Sequence, residues 1–92
     1  MATVFIPPVL RPMVGSAKQV SAEGATLSAV LEDLFTRFPG IKEQVLTPEG
    51  SLNTFINVYV NNEDVRFLKG LDTPIGPNDT VRLLPAMAGG QF

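Results

Sequence analysis

The sequence contains neither cysteine nor histidine. Their absence excludes disulfides, thiol nucleophiles, zinc sites built on Cys or His ligands, and imidazole acid–base chemistry. A metal site made only of carboxylates is still possible. However, the acidic residues show no spacing typical of a metal-binding loop, and we predict no metal. These absences argue against a conventional active site and favour a protein that takes part in chemistry as a substrate or carrier.

Strong charge and long apolar runs are also missing. A net charge of −2, with only seven scattered Lys and Arg residues, argues against a nucleic-acid partner. No apolar run approaches the ~20 residues that span a bilayer, so we predict no membrane association. Residues 1–8 lack the basic and long apolar regions of a secretion signal, which leads us to expect a cytoplasmic protein. A chain of 92 residues is expected to form a single domain over 1–92.

One amphipathic helix is the clearest predicted element. Apolar side chains recur at helical spacing between residues 27 and 38, which predicts one buried stripe. Thr26 precedes the stripe as an N-cap, and Pro39 ends the helix. The stripe consists of Leu27, Val30, Leu31, Leu34, Phe35 and Phe38.

Five short segments predict strands around this helix. They are residues 4–6, 18–22, 55–60, 64–68 and 80–84, with a long connection between the first two. Asn61-Asn62 predicts a tight turn because asparagine tolerates positive φ. The order β-β-α-β-β-β predicts an α+β fold with one helix on one face of a mixed four- or five-stranded sheet. If the last strand lies beside the first, the fold is the ubiquitin-like β-grasp.

The end of the chain carries the main functional signal. Gly89-Gly90 follows the last predicted strand, in a tail that begins at about Pro85 and is expected to be flexible. Together with the predicted fold, this ending resembles the ubiquitin-like sulfur carriers of the ThiS/MoaD family, and most of all the type used in cysteine biosynthesis. The resemblance rests on Ile6-Pro7, Leu10-Arg11-Pro12, the helix from Thr26, and residues 57–61, 63–67, 83–86 and 88–90.

The resemblance implies a carrier that is not itself an enzyme. An E1-like adenylating enzyme would use ATP to activate the Gly90 carboxylate, and sulfur would then replace AMP to give a thiocarboxylate. The sulfur would pass to a sulfhydrylase-like enzyme that makes cysteine, homocysteine, methionine or a related metabolite. Ala88 and Gly89 would thread the enzyme's channel. The glycine in this segment suits a narrow channel because it lacks a Cβ. No permanently bound cofactor is implied.

The sequence departs from the family pattern after Gly90. Because Gln91 and Phe92 follow, Gly90 has no free carboxylate as written. Some family members carry a short extension that a JAMM-type zinc peptidase removes, and we predict that Gln91 and Phe92 form such an extension. The alternative is that these two residues are an artefact of cloning or divergence.

Other residues are candidates for partner contacts. Pro85 is predicted to direct the tail through its fixed φ. Met87 is a candidate contact with the activating enzyme, or it packs on the sheet edge. Phe67 and Leu68 are candidates for an exposed docking patch, although a core position is favoured for Phe67. Single arginines that could meet acidic partner groups, or simply lie along the surface, are Arg11, Arg66 and Arg82.

Two further functions remain open at this point. The chain could be the small subunit of a molybdopterin-synthase-like enzyme, whose tail enters a larger catalytic partner. It could also be a ubiquitin-like modifier that forms an isopeptide bond from Gly90 to a lysine. The sequence separates neither from a carrier, because all three use the same terminal glycine.

Overall fold

The computed structural model describes residues 1–85, and residues 86–92 lie outside the described part. The strands are β1 (Ala2–Phe5), β2 (Gln19–Ala22), β3 (Ile56–Val60), β4 (Glu63–Asp64) and β5 (Thr80–Pro85). The α-helices are α1 (Leu27–Arg37) and the single turn α2 (Lys42–Val45). Segments of 3-10 helix cover Pro8–Val14, Pro39–Ile41, Val65–Phe67 and Gly70–Asp72. The predicted order of five strands and one main helix is confirmed.

The strands form one mixed sheet with the order β2-β1-β5-β3-β4. The last strand, β5, lies at the centre, parallel to β1 and antiparallel to β3. This confirms the predicted neighbourhood of first and last strands, which defines the β-grasp. A tight turn joins β3 to β4, and Asn61 and Asn62 adopt φ values of 50° and 76° there, as their residue type predicts.

Helix α1 covers one face of the sheet. It begins at Thr26, whose Oγ1 accepts a hydrogen bond from the Ala29 N–H at 3.2 Å, and it ends before Pro39. Five members of the predicted stripe are buried, and Phe38, at the helix end, is half-buried. They pack against aliphatic side chains of the sheet, including Val4, Val58, Val60, Val81 and Leu83. The core therefore lies between α1 and the sheet.

Two segments differ from the sequence-based expectation. The predicted strand 64–68 is wrong beyond Asp64, because the Asp64 Oδ1 accepts the Arg66 N–H at 2.9 Å and bends the chain into the 3-10 segment Val65–Phe67. The long connection after β1, for which no element was predicted, is the second segment. Its 3-10 segment Pro8–Val14 buries Leu10 and Val14 beside the core.

Candidate functional site: the end of the central strand and the open face of the sheet

The part of the chain that the structure describes ends with the central strand, β5. Pro85 is exposed and is the last residue of β5, where it pairs with Ile56 of β3. Proline has no N–H to donate to a sheet, so it ends the ladder at this point. The predicted roles of Met87, Ala88, Gly89, Gly90, Gln91 and Phe92 lie outside the described residues and remain predictions.

The face of the sheet opposite α1 carries a row of larger side chains. Phe5, Arg82 and Tyr59 are direct cross-strand neighbours on β1, β5 and β3. The Arg82 guanidinium carbon lies 4.6 Å from the centroid of the Phe5 ring, which is a cation–π arrangement. Two residues further along β5, Leu84 is 43% exposed opposite Asn57. This row combines apolar, aromatic and cationic groups.

The predicted patch residues lie in the turn after β4. Phe67 is 87% exposed, so the favoured core position is wrong, and its neighbour Leu68 is also exposed. The alternation of residues 64–68 predicted burial of Phe67 because a strand was expected to continue to Leu68. In the 3-10 segment, Val65 takes the core position and Phe67 faces solvent.

The three candidate arginines differ in their contacts. Arg11 donates from Nε to the Ile6 carbonyl oxygen at 3.1 Å, which ties it to its own backbone. Arg66 pairs with Asp64, with Nε 3.3 Å from Oδ1, and its guanidinium also donates to the Asn57 side chain. Within residues 1–85, Arg82 makes no ion pair. Arg82 is thus the most available of the three for a partner.

Two carboxylates have lowered pKa values. The Arg66 side chain and backbone N–H donate hydrogen bonds to Asp64 and hold its pKa below the usual range. The Gly76 N–H and then the Asn61 side chain do the same for the pKa of Asp79, at the opposite end of β5 from Pro85. Both are fixed structural anions, and neither is poised as a proton donor near neutral pH.

A cavity of about 590 Å³ opens on the helix side of the molecule. Leu31, Leu46 and Leu71 contribute its apolar lining, and Glu32, Lys42 and Glu43 its charged rim. No cluster of three metal-ligating side chains occurs among residues 1–85. In the same part of the chain, no helix is long and apolar enough to cross a membrane.

Sequence reasoning missed Phe5, Tyr59 and Leu84 as possible surface groups. The signal was present in the alternation of each strand, since neighbouring residues point to opposite faces. The sequence did not show which of the two faces α1 covers, nor that no helix within the described residues covers the other face.

The mixed sheet, with β5 at its centre and α1 over one face, defines a ubiquitin-like, β-grasp protein. Comparison with protein families finds that residues 4–90 match the ThiS family. The chain belongs to the ThiS family. This match ends at Gly90, the second residue of the glycine pair.

Individual proteins agree with this assignment. The chain is 52% identical over 90 residues to the sulfur carrier protein CysO of Mycobacterium tuberculosis H37Rv, covering 96% of this chain and 97% of that protein. The crystal structure of the Amycolatopsis orientalis BexX/CysO complex matches with 47% identity and a TM-score of 0.90, covering 98% of this chain and 100% of that one. The similarity identifies a sulfur carrier protein of the CysO type, and not an enzyme.

A more distant structure shares the architecture. Small archaeal modifier protein 1 of Methanosarcina acetivorans matches with 25% identity and a TM-score of 0.82, over 97% of this chain and 95% of that one. The β-grasp fold thus serves proteins named as carriers and proteins named as modifiers.

Proposed function

We propose that this chain carries sulfur on the C-terminal carboxyl of Gly90, after the peptide bond between Gly90 and Gln91 has been hydrolysed. The observation that supports this most directly is the end of the family match at Gly90, although the chain continues to Phe92. The 52% identity to a sulfur carrier protein supports sulfur as the cargo. A sulfur-handling chain without cysteine is consistent with this chemistry, because the sulfur is bound to a main-chain carboxyl.

The proposed reaction has two steps. The Gly90 carboxylate attacks the α-phosphorus of ATP on an E1-like enzyme, which releases pyrophosphate and forms an acyl adenylate. Sulfide displaces AMP and leaves a thiocarboxylate. With a persulfide donor, the terminal sulfur displaces AMP to form an acyl disulfide, and a thiol reductant then cleaves the S–S bond to release the thiocarboxylate. ATP is a substrate of the partner and not a cofactor held by this chain.

The remaining proposed partners act before and after this step. A JAMM-type zinc peptidase removes Gln91 and Phe92, and a sulfhydrylase-like enzyme accepts the sulfur in the biosynthesis of cysteine or a related metabolite. Pro85 and Met87 guide or contact the activating enzyme, while Ala88 and Gly89 pass through its channel. Phe67 and Leu68 contribute to docking. We place the protein, as a single domain, in the cytoplasm.

Gly89 and Gly90, the last two residues once Gln91 and Phe92 are removed, suit this task. Glycine adds no side chain to the peptide that enters the enzyme, and it adopts backbone conformations that other residues avoid. Gly90→Val adds a branched side chain beside the reacting carboxyl and should obstruct adenylation.

Intact-mass measurement tests the proposal. The full chain is mixed with the JAMM-type peptidase and then with the activating enzyme, ATP and sulfide. We expect loss of one Gln and one Phe residue, followed by the gain that corresponds to one sulfur in place of one oxygen. The matched control is a chain encoded to end at Gly90, with and without Gly90→Val. Failure of the chain ending at Gly90 to gain sulfur, or normal gain by its Gly90→Val form, would contradict the proposal.

A modifier function is the second candidate. The structural match to a small archaeal modifier protein at 25% identity favours its consideration. In the same reaction with cell extract added, lysine-linked adducts of the chain would support this function, and a free thiocarboxylate alone would support the carrier.

A further inference from the structure

The two outer strands of the sheet, β4 and β2, differ in whether a further strand can pair with them. β4 contains only Glu63 and Asp64 and is too short to hold an added strand. β2 has four residues, Gln19–Ala22, and it contains neither a charged residue nor a proline, the residues that commonly keep a strand edge closed. Protection of this edge is therefore left to other elements.

The pairing of β2 with β1 decides which of its backbone groups point outward. The two strands are antiparallel, and the Ile6 N–H donates to the Lys18 carbonyl oxygen at 2.9 Å. Because hydrogen-bonded and non-bonded pairs alternate along antiparallel strands, every second residue from Lys18 onward directs its N–H and C=O groups towards β1. The residues whose N–H and C=O groups point away from the sheet are Gln19, Ser21 and, just after the strand, Glu23.

Two side chains of α1 bind these outward groups. Arg37 Nη2 donates a hydrogen bond to the Ser21 carbonyl oxygen, and Asp33 Oδ2 accepts one from the Glu23 N–H at 2.9 Å. The two side chains also form an ion pair, with Arg37 Nη2 3.2 Å from Asp33 Oδ2. We call Asp33 and Arg37 the edge clip. The clip supplies the donor and the acceptor that an added strand would present at these positions.

The edge clip is fixed by its surroundings and yet lies on the surface. Asp33 and Arg37 are four residues apart on α1, which is the spacing at which helical side chains meet. The Arg37 guanidinium carbon also lies 5.9 Å from the centroid of the half-buried Phe38 ring. The side chains of Arg37 and Asp33 are 40% and 36% exposed. They can therefore be truncated without leaving a cavity in the core.

A second copy of β2 fits this edge when the clip is absent. Pairing about a two-fold axis places Ser21 opposite Ser21 of the other copy, and each copy offers the same outward N–H and C=O groups. In this register Glu23 faces the neutral side chain of Gln19. Lys18 faces Gly24, which has no side chain. No like charges oppose each other, so charge does not prevent this pairing.

We propose that the edge clip keeps β2 closed to strand addition and thereby keeps the protein a monomer. Without the clip, two copies pair through β2 into one sheet that is continuous across both. With the clip in place, each copy would have to break two charge-assisted hydrogen bonds before it gained a backbone pair. This inference depends on the fold alone and not on the cargo that the chain carries.

Sedimentation equilibrium of the full chain tests the proposal. Asp33→Ala/Arg37→Ala removes the clip and leaves the net charge unchanged. The matched control, Glu32→Ala/Lys42→Ala, also removes one acidic and one basic side chain from the helical layer, and these two form no ion pair within residues 1–85. Since one hydrogen bond to a charged group is worth about a factor of ten, we expect the clip variant to dimerise at least about tenfold more tightly than the original chain. The control should stay within about twofold of the original chain.

Ser21→Pro separates strand pairing from other kinds of association. It removes the outward N–H of Ser21 but no hydrogen bond to β1, and edge strands tolerate proline. Added to the clip variant, it should restore the monomer. Three results would each overturn the proposal: a clip variant as monomeric as the control, a dimer that persists with Ser21→Pro, and assembly beyond the dimer. The third would do so because two-fold pairing closes on itself.

Amide hydrogen exchange, followed by NMR at a concentration where the chain is monomeric, tests the clip directly. Asp33→Ala removes the acceptor of the Glu23 N–H and should speed its exchange by about tenfold. The Val4 and Val58 amides, in β1 and β3, should exchange as slowly as in the original chain, which shows that the fold is intact. Unchanged exchange at Glu23 would contradict the closed edge.

Discussion

Successive residues of β5 belong to two surfaces with opposite properties. Val81 and Leu83 point towards α1 and are buried, whereas Arg82 and Leu84 point away from it and are exposed. The face covered by α1 is aliphatic and closely packed, and the open face mixes aromatic, apolar and cationic groups. One strand thus stabilises the fold with every second residue and leaves Arg82 and Leu84 exposed.

The contrast also separates two kinds of mutation. Substitutions on the covered face should reduce stability because they leave cavities or create overlaps. Substitutions of exposed side chains on the open face of the sheet should leave stability nearly unchanged.

The largest effect is expected for a pair of adjacent leucines. Leu83→Ala removes a side chain that is 1% exposed and should lower the free energy of unfolding by about 3 kcal/mol. Leu84→Ala, one residue further along, should cost less than about 1 kcal/mol because Leu84 is half-exposed. Urea denaturation of both variants measures the two free energies of unfolding. Equal losses of stability would show that the open face of the sheet is also part of the core.

A smaller effect is expected where the chain enters α1. A Cβ on Gly24 would lie 2.4 Å from the Val30 backbone nitrogen, so Gly24→Ala should destabilise the fold by about 2 kcal/mol through overlap. Gly40→Ala is the control, since a Cβ there meets nothing within 4 Å. Thermal unfolding compares the two. If Gly24→Ala unfolded at the same temperature as Gly40→Ala, the close approach of this loop to α1 would be disproved.

The smallest effect is expected for Asp79, which lies just before β5 and belongs to neither face of the sheet. Hydrogen bonds from the Gly76 N–H and from Asn61 lower the pKa of Asp79 in the folded state. The stability that they contribute is therefore complete above the unfolded pKa of about 3.9 and is lost as the pH falls through the lower folded value.

Asp79→Asn removes this dependence. At neutral pH the variant should have a lower urea midpoint than the original chain. The difference between the two midpoints should become smaller below about pH 4. Taking the difference cancels the contribution of Asp64, whose pKa is also lowered. A gap that stayed constant down to pH 2 would mean that the charge of Asp79 does not stabilise the fold.

Much of this architecture was predictable from local patterns. The stripe from Leu27 to Phe35, with Thr26 before it and Pro39 after it, specifies α1 through helical periodicity and capping alone. Asn61 and Asn62 specify their turn because their side chains tolerate positive φ. The position of β5 beside β1 followed from the order of elements and the resemblance to a known fold.

The errors arose where a single side-chain contact redirected the chain. Asp64 ends its strand by capping the Arg66 N–H, and this placed Phe67 in solvent instead of the core. The pattern of residues 64–68 alternates as a strand would, so no local signal distinguished the two outcomes. In the connection after β1 no element was predicted, and there Pro8–Val14 forms a 3-10 segment that buries Leu10 and Val14 beside the core.

The sequence by itself determined the helix, the tight turn, the glycine pair and the absence of thiol and imidazole chemistry, because each depends on residue type or on neighbours within a few positions. The tertiary structure alone decided which face of the sheet stays open and which side chains meet there. Arg82 lies over Phe5, and Arg66 contacts Asn57, because β5 and β3 assemble beside strands and turns from other parts of the chain. Such contacts depend on the packing of α1 over one face, which local sequence does not encode.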